Sequence, residues 1–128
     1  MTREIAMQEF IAVMKALREP NRVKIVKLLQ RGELCVCEIQ AALGISQGCT
    51  SKHLEILERA GLLERRKKGL WTYFLLAGAS RSASAASILG NLRHWLEEDP
   101  EVAETIAKLP NIRRRNLCKR TRSTDPLD

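Results

Sequence analysis

Apolar positions recur at steps of three and four over residues 3–18, where Met7, Phe10, Met14 and Leu17 share a face that Ile11 widens. This spacing predicts an amphipathic helix. Pro20 stands where a first helical turn accepts proline. A second helix runs from there through Ile25, Val26, Leu28 and Leu29 to a stop at Gly32. A short third helix, about 36–43, carries Val36, Ile39 and Leu43 on one side and ends at Gly44. Ser46 is a good N-cap for a fourth, about 47–60, whose inward face is Thr50, Leu54 and Leu57 and whose stop is Gly61. Two helices, the first short, joined by a tight glycine-containing turn form the helix-turn-helix pattern.

The period then changes. Leu62 to Arg66 and Leu70 to Leu76 read as two extended runs around Lys67-Lys68-Gly69, a β-hairpin. A hairpin directly after a recognition helix is a wing. Residues 81–98 return to helical spacing, with Ile88, Leu92, Trp95 and Leu96 on one side. Pro100 and Pro110 bracket a last short helix, and from about residue 111 the chain turns polar and basic. The expected fold is mainly α with a small β-hairpin wing: a winged helix-turn-helix and homodimerisation domain over 1–100, then a mobile basic extension over 101–128.

Composition narrows the partner. The 128 residues are 45% hydrophobic and 4% aromatic, which suits Leu/Ile/Val/Ala helices and a core that needs no staple. No apolar run approaches the roughly 20 residues of a membrane span. Residues 1–20 lack a signal peptide's apolar centre, so a cytoplasmic chain is expected. The net charge is +7. Residues 111–128 supply +4 of it, from Arg113, Arg114, Arg115, Lys119, Arg120 and Arg122 against Asp125 and Asp128. Arg65-Arg66-Lys67-Lys68 forms a second basic cluster. Such clusters point to a polyanion, most often nucleic acid. No phosphate loop, G-x-S-x-G or H-E-x-x-H occurs, and His53 and His94 have no catalytic partner in view. An enzyme is not expected.

Four cysteines, 35, 37, 49 and 118, do not make a disulfide framework in a cytosolic chain. C-x-C differs from the C-x-x-C redox motif, and no second pair completes a four-thiolate zinc site. Taken in order, Glu33-Leu34-Cys35-Val36-Cys37-Glu38-Ile39, Leu43-Gly44-Ile45-Ser46-Gln47, Ser51-Lys52-His53-Leu54-Glu55-Ile56-Leu57, Ala60-Gly61-Leu62-Leu63 and Gly69-Leu70-Trp71-Thr72-Tyr73 closely resemble the arsenic-repressor (ArsR/SmtB) family. The likeness covers roughly residues 12–76. It implies a homodimeric winged-helix repressor that binds operator DNA when free and releases it when a toxic metal or metalloid occupies a thiolate site. No resident cofactor is implied, and the inducer is As(III) or Sb(III).

On that resemblance Cys35 and Cys37 are the ligands. Thiolates prefer soft ions, and a helix N-terminus favours the thiolate, with Glu33 and Glu38 opposing. Residues i and i+2 of a continuous helix point roughly 200° apart, so two sulfurs on one ion are expected to unwind or bend the start of helix 36–43, against which helix 47–60 packs. Arsenic repressors with this motif often carry a third cysteine where Gln40 stands here. Cys118 from the tail, Cys49 or a cellular thiol are the open sources of a third sulfur. The paired histidines of zinc sensors are missing from 81–98, and residues 1–34 lack the cysteines of cadmium and lead sensors. The alternatives are a cadmium/lead-type or a thiol-redox-responsive repressor of the same fold.

The expected DNA surface is Gln47, Cys49, Ser51, Lys52 and His53 on the recognition helix, with Arg65, Arg66, Lys67 and Lys68 at the wing. Gln pairs bidentately with adenine, Lys with guanine or phosphate, and wing cations position the protein on the backbone. The operator is expected to be double-stranded DNA with an imperfect inverted repeat. Gly48 and Thr50 depart from the family's proline and β-branched apolar residue and are expected to loosen the helix start. Phe10, Leu92 and Trp95 are candidates for the dimer interface.

Overall fold

A computed structural model describes residues 3–78 and 82–117 of the chain. Its elements are α1 (Arg3–Ala16), α2 (Pro20–Leu29), β1 (Leu34–Cys35), α3 (Val36–Leu43), α4 (Gln47–Arg59), β2 (Leu63–Lys68), β3 (Trp71–Leu76), α5 (Ala83–Leu92), α6 (Pro100–Ala107) and α7 (Leu109–Arg115). Helix α3, the turn at Gly44 (φ +71°), helix α4 and the β2–β3 hairpin form a winged helix-turn-helix. No helix among the described residues is long and apolar enough to cross a membrane.

Local chemistry sets the helix ends. Glu19 caps α2 by accepting from the Arg22 amide at 3.1 Å, with Pro20 in the first turn. Ser46 Oγ accepts from the Cys49 amide at 3.1 Å at the start of α4. The expected inward face of α4 is confirmed: Thr50, Leu54 and Leu57 are at most 1% exposed. Thr50 does not loosen the helix start, because its buried hydroxyl donates to the Ser46 carbonyl at 2.8 Å and so meets no unpaired-group penalty. Around α4 the core gathers Val13, Ile25, Val26, Leu28, Ile39, Leu62, Leu63 and Phe74.

The sheet has three strands in the order β1-β3-β2. The hairpin pairs Leu63 with Leu76 through Lys68 with Trp71, turning at Gly69 (φ +64°). The third strand is the unexpected one: Leu34 lies opposite Phe74 and Cys35 opposite Tyr73.

Two other expectations change. The helix expected over 81–98 stops at Leu92. The reason is Lys27, fully buried between apolar neighbours on α2. Its Nζ donates to the Leu92 and Trp95 carbonyls at 2.7 and 3.0 Å and pairs with Glu97 at 3.2 Å. The chain then turns through Leu96 (φ +64°) into Asp99, which caps α6 ahead of Pro100. The extension after residue 100 is also not a free tail as far as residue 117. Val102, Leu109 and Ile112 are buried, α6 packs on α2 and α7 on α3, and Lys108 Nζ donates to the Ala42 carbonyl at 3.2 Å.

Candidate functional site

The thiol pair sits at a junction. Cys35 is the last residue of β1 and the N-cap of α3, in extended conformation (φ −89°, ψ 169°) and 4% exposed. Cys37 lies in the first turn of α3, half-buried. Glu38 reaches back from that turn and accepts the Cys35 amide at 3.0 Å, the carboxylate half of a capping box. The geometric premise for unwinding therefore changes: only Cys37 is helical, so the roughly 200° divergence of a continuous helix does not separate the two sulfurs. What lies between them is Val36 and its two flanking peptide bonds at the strand–helix boundary. Cys35 is in the disulfide form. Cys118 lies outside the described residues. No group of three or more His, Cys, Asp or Glu gathers among the described residues in a way that holds a metal ion. As donors, two soft sulfurs one residue apart suit a thiophilic ion once Cys35 is reduced, with the remaining ligand coming from elsewhere.

The junction is tied to the wing. Lys68, at the outer end of β2, forms an ion pair with Glu33, two residues before Cys35. The same ammonium lies 5.4 Å from the centre of the Tyr73 ring, and Tyr73 is the residue opposite Cys35. Arg65 is held by helix α4: its Nε and Nη2 donate to the Glu58 carboxylate at 2.9 and 2.7 Å, and its guanidinium stacks 5.2 Å from the Phe74 ring. The hydrogen bonds from Arg65 to Glu58 raise its pKa above the ordinary arginine value, against a smaller opposing effect of burial.

The residues expected to meet DNA therefore divide. Gln47, Cys49, Ser51 and Lys52 are exposed at the start of α4, and Arg66 and Lys67 are exposed on β2. Among the described residues neither Arg66 nor Lys67 has an acidic partner within ion-pair distance. Arg65, Lys68 and His53 are engaged within the protomer. His53 Nδ1 lies 3.2 Å from Arg22 Nη1 and its Nε2 lies 3.7 Å from Glu19. Arginine only donates, so Nδ1 is the acceptor and the proton sits on Nε2. Arg22 also donates to the Ala16 carbonyl at 2.6 Å. His53 thus fastens α4 to the α1–α2 corner.

Sequence reading missed Lys27, Arg22 and Glu58, and the pairing of Glu33 with Lys68. Only Lys27 left a signal, a lysine inside the run Ile25-Val26-Lys27-Leu28-Leu29. Lys68, the partner of Glu33, and His53, the partner of Arg22, are distant in sequence, while Arg65 meets Glu58 across the α4–β2 turn. An apolar patch remains on the outside, with Met7, Phe10, Ile11, Trp95 and Leu96 between 40% and 60% exposed.

Residues 19–65 match the family described as "Bacterial regulatory protein, arsR family". An arsenic resistance transcriptional regulator of Pseudomonas putida is 46% identical over 65 residues, 50% of this chain and 51% of that protein. An arsenical resistance operon repressor of Bacillus subtilis is 34% identical over 57% of this chain and 70% of its own length. The chain spans little more than half of the Pseudomonas relative. Among solved structures, the homodimeric winged helix-turn-helix DNA-binding domain of a possible ArsR-family transcriptional regulator from Mycobacterium bovis superposes with a TM-score of 0.61 at 29% identity, covering 78% of this chain and 90% of that one.

Proposed function

Because this chain belongs to the arsR family of bacterial regulatory proteins, we propose that it is a cytoplasmic transcriptional repressor that binds operator DNA as a homodimer and is released by As(III) or Sb(III) at Cys35 and Cys37. The observation that carries the reading is the placement of the thiols. One ends a strand of the wing sheet and the other begins the first helix of the helix-turn-helix. A thiophilic ligand shared by the two would strain the peptide that joins both DNA-reading parts. Reduced Cys35 and Cys37 supply two soft donors. Cys118 is the proposed third, with exposed Cys49 or a cellular thiol as the other sources.

On the DNA side, Gln47, Ser51 and Lys52 are the proposed base-reading residues, and Arg66 and Lys67 the proposed phosphate-binding ones. The dimer forms through the patch of Met7, Phe10, Ile11, Trp95 and Leu96, which a second copy would cover across a two-fold axis. The operator is an imperfect inverted repeat with half-sites about one helical turn, or a multiple of it, apart.

A mobility-shift titration in a non-thiol reductant tests this. Arsenite is expected to release the wild type, while Cys35→Ser and Cys37→Ser bind DNA and ignore arsenite. Normal induction of the double variant would end the proposal. A second reading, oxidative switching, rests on Cys35 being in the disulfide form. It predicts release by peroxide and none by arsenite under reducing conditions.

A further inference from the structure

We infer that the wing is a direct output of the thiol site, and that Glu33 and Lys68 are the positioning pair that carries the movement. The inference rests on the proposed arsenite response and names its route. Three observations converge on it. The backbone of Cys35 belongs to β1, which lies against β3 with Cys35 facing Tyr73. The Glu33 carboxylate, two residues upstream, holds Lys68 near the hairpin turn, and the Lys68 ammonium also lies over the Tyr73 ring. The strand holding one thiol is therefore attached to the hairpin twice, through its backbone and through a charge pair.

The third observation is the open space beside the hairpin. A crevice of about 340 Å³ separates it from α3 and α4, lined by Val36, Ser51, Leu54, Glu55, Arg65 and Phe74 among others. Val36 is the residue between the two cysteines. A rotation of the Cys35–Cys37 segment would displace Val36, which lines this crevice, and would move Glu33 through the chain that joins it to Cys35. The Glu33 shift acts directly on Lys68, while α4 is held in place by its buried face and its Ser46 cap. Paired with Glu33, Lys68 sets the angle of the wing.

The chain carries its own reporter. Trp71 opens β3 opposite Lys68, and Trp95 is the other tryptophan of the 128 residues. In a Trp95→Phe variant whose dimeric state is verified by sedimentation, without DNA and with a non-thiol reductant, Trp71 emission is expected to change in step with arsenite occupancy, followed independently by sulfur–arsenic near-ultraviolet absorption. In Glu33→Gln the absorption titration still reaches full occupancy. The ratio of operator affinities without and with saturating arsenite falls by about 1.4-fold to fivefold, the range of an exposed charge pair. Glu33→Gln combined with Lys68→Gln shows the same ratio as either single variant, because both remove one link. A silent Trp71 during a normal absorption titration, or an unchanged affinity ratio in Glu33→Gln, overturns the inference and leaves the arsenite reading standing. Absence of the absorption change in the parent protein overturns that reading itself.

Discussion

Helix α4 buries Thr50, Leu54 and Leu57 to 1% exposure or less, whereas the outer half of the wing, Arg65 to Lys68, is exposed throughout and held by the Glu58 and Glu33 carboxylates. The two parts are expected to serve one DNA site, yet different forces hold them. Each buried leucine contributes on the order of 1.5–3 kcal/mol. An exposed ion pair is worth about 0.2–1 kcal/mol, and salt screens it. A ligand that must dislodge α4 works against packing, and one that must tilt the outer half of the wing works against two exposed ion pairs. The softer part is also the part attached to Cys35.

The largest test of this contrast is to break the packed side. Leu57→Ala should destabilise the protein by about 2–5 kcal/mol, seen as a lower urea midpoint with an unchanged slope. A loss below about 1 kcal/mol would mean that α4 is not the rigid partner. Lys27→Met comes next, because Lys27 is the ionic link that is buried. It should cost about 1–3 kcal/mol as the Leu92 and Trp95 carbonyls lose their donor. It should also weaken dimerisation, measured by sedimentation, since Trp95 and Leu96 lie on the segment those bonds shape. An equal loss in Lys27→Met and in Lys24→Met, whose ion pair with Glu101 is exposed on the glutamate side, would remove the distinction.

How much of this was legible in the sequence depends on the range of the interaction. The helix-turn-helix was legible because Thr50, Leu54 and Leu57 obey a local period and Gly44, Ser46 and Gly61 punctuate it. The hairpin was legible from its turn. Strand β1 was not: two residues show no alternation, and Leu34 and Cys35 are extended only because β3, about 40 positions away, lies against them. The early end of α5 depends on a lysine 65 residues upstream of Leu92. The order in α7 arises where Leu109 and Ile112 meet α3 beneath a run of arginines whose charge dominates the local sequence. At the site, residue type identified the thiols and the cations, but not which cations have a carboxylate partner within the protomer. Arg65 and Lys68 look equivalent to Arg66 and Lys67 until Glu58 and Glu33 are placed beside them.

That pairing can be tested on the wing. Arg66→Gln and Lys67→Gln should each reduce the salt dependence of operator binding, lowering the slope of log K against log salt by about one for each phosphate no longer neutralised. Arg65→Gln should leave the slope nearly unchanged and weaken binding by loosening the hairpin from α4. Equal slopes for Arg65→Gln and Arg66→Gln would show that Arg65 leaves Glu58 for phosphate when DNA binds.

The smallest expected effect is at Gly48, the soft spot of the packed side. A Cβ built there meets nothing within 4 Å, and glycine inside a helix costs up to about 1 kcal/mol relative to alanine. Gly48→Ala should therefore stabilise the protein by about 0.5–1 kcal/mol, read as a raised melting temperature. Its consequence for switching is the sharper result. If the inducer acts through the wing, stiffening the start of α4 leaves the ratio of operator affinities without and with arsenite as it was. If the inducer acts by unravelling α4 from its N-terminus, the same substitution opposes it and the ratio falls. A stabilised Gly48→Ala that has lost its arsenite response would move the switch from the tethered hairpin to the packed helix.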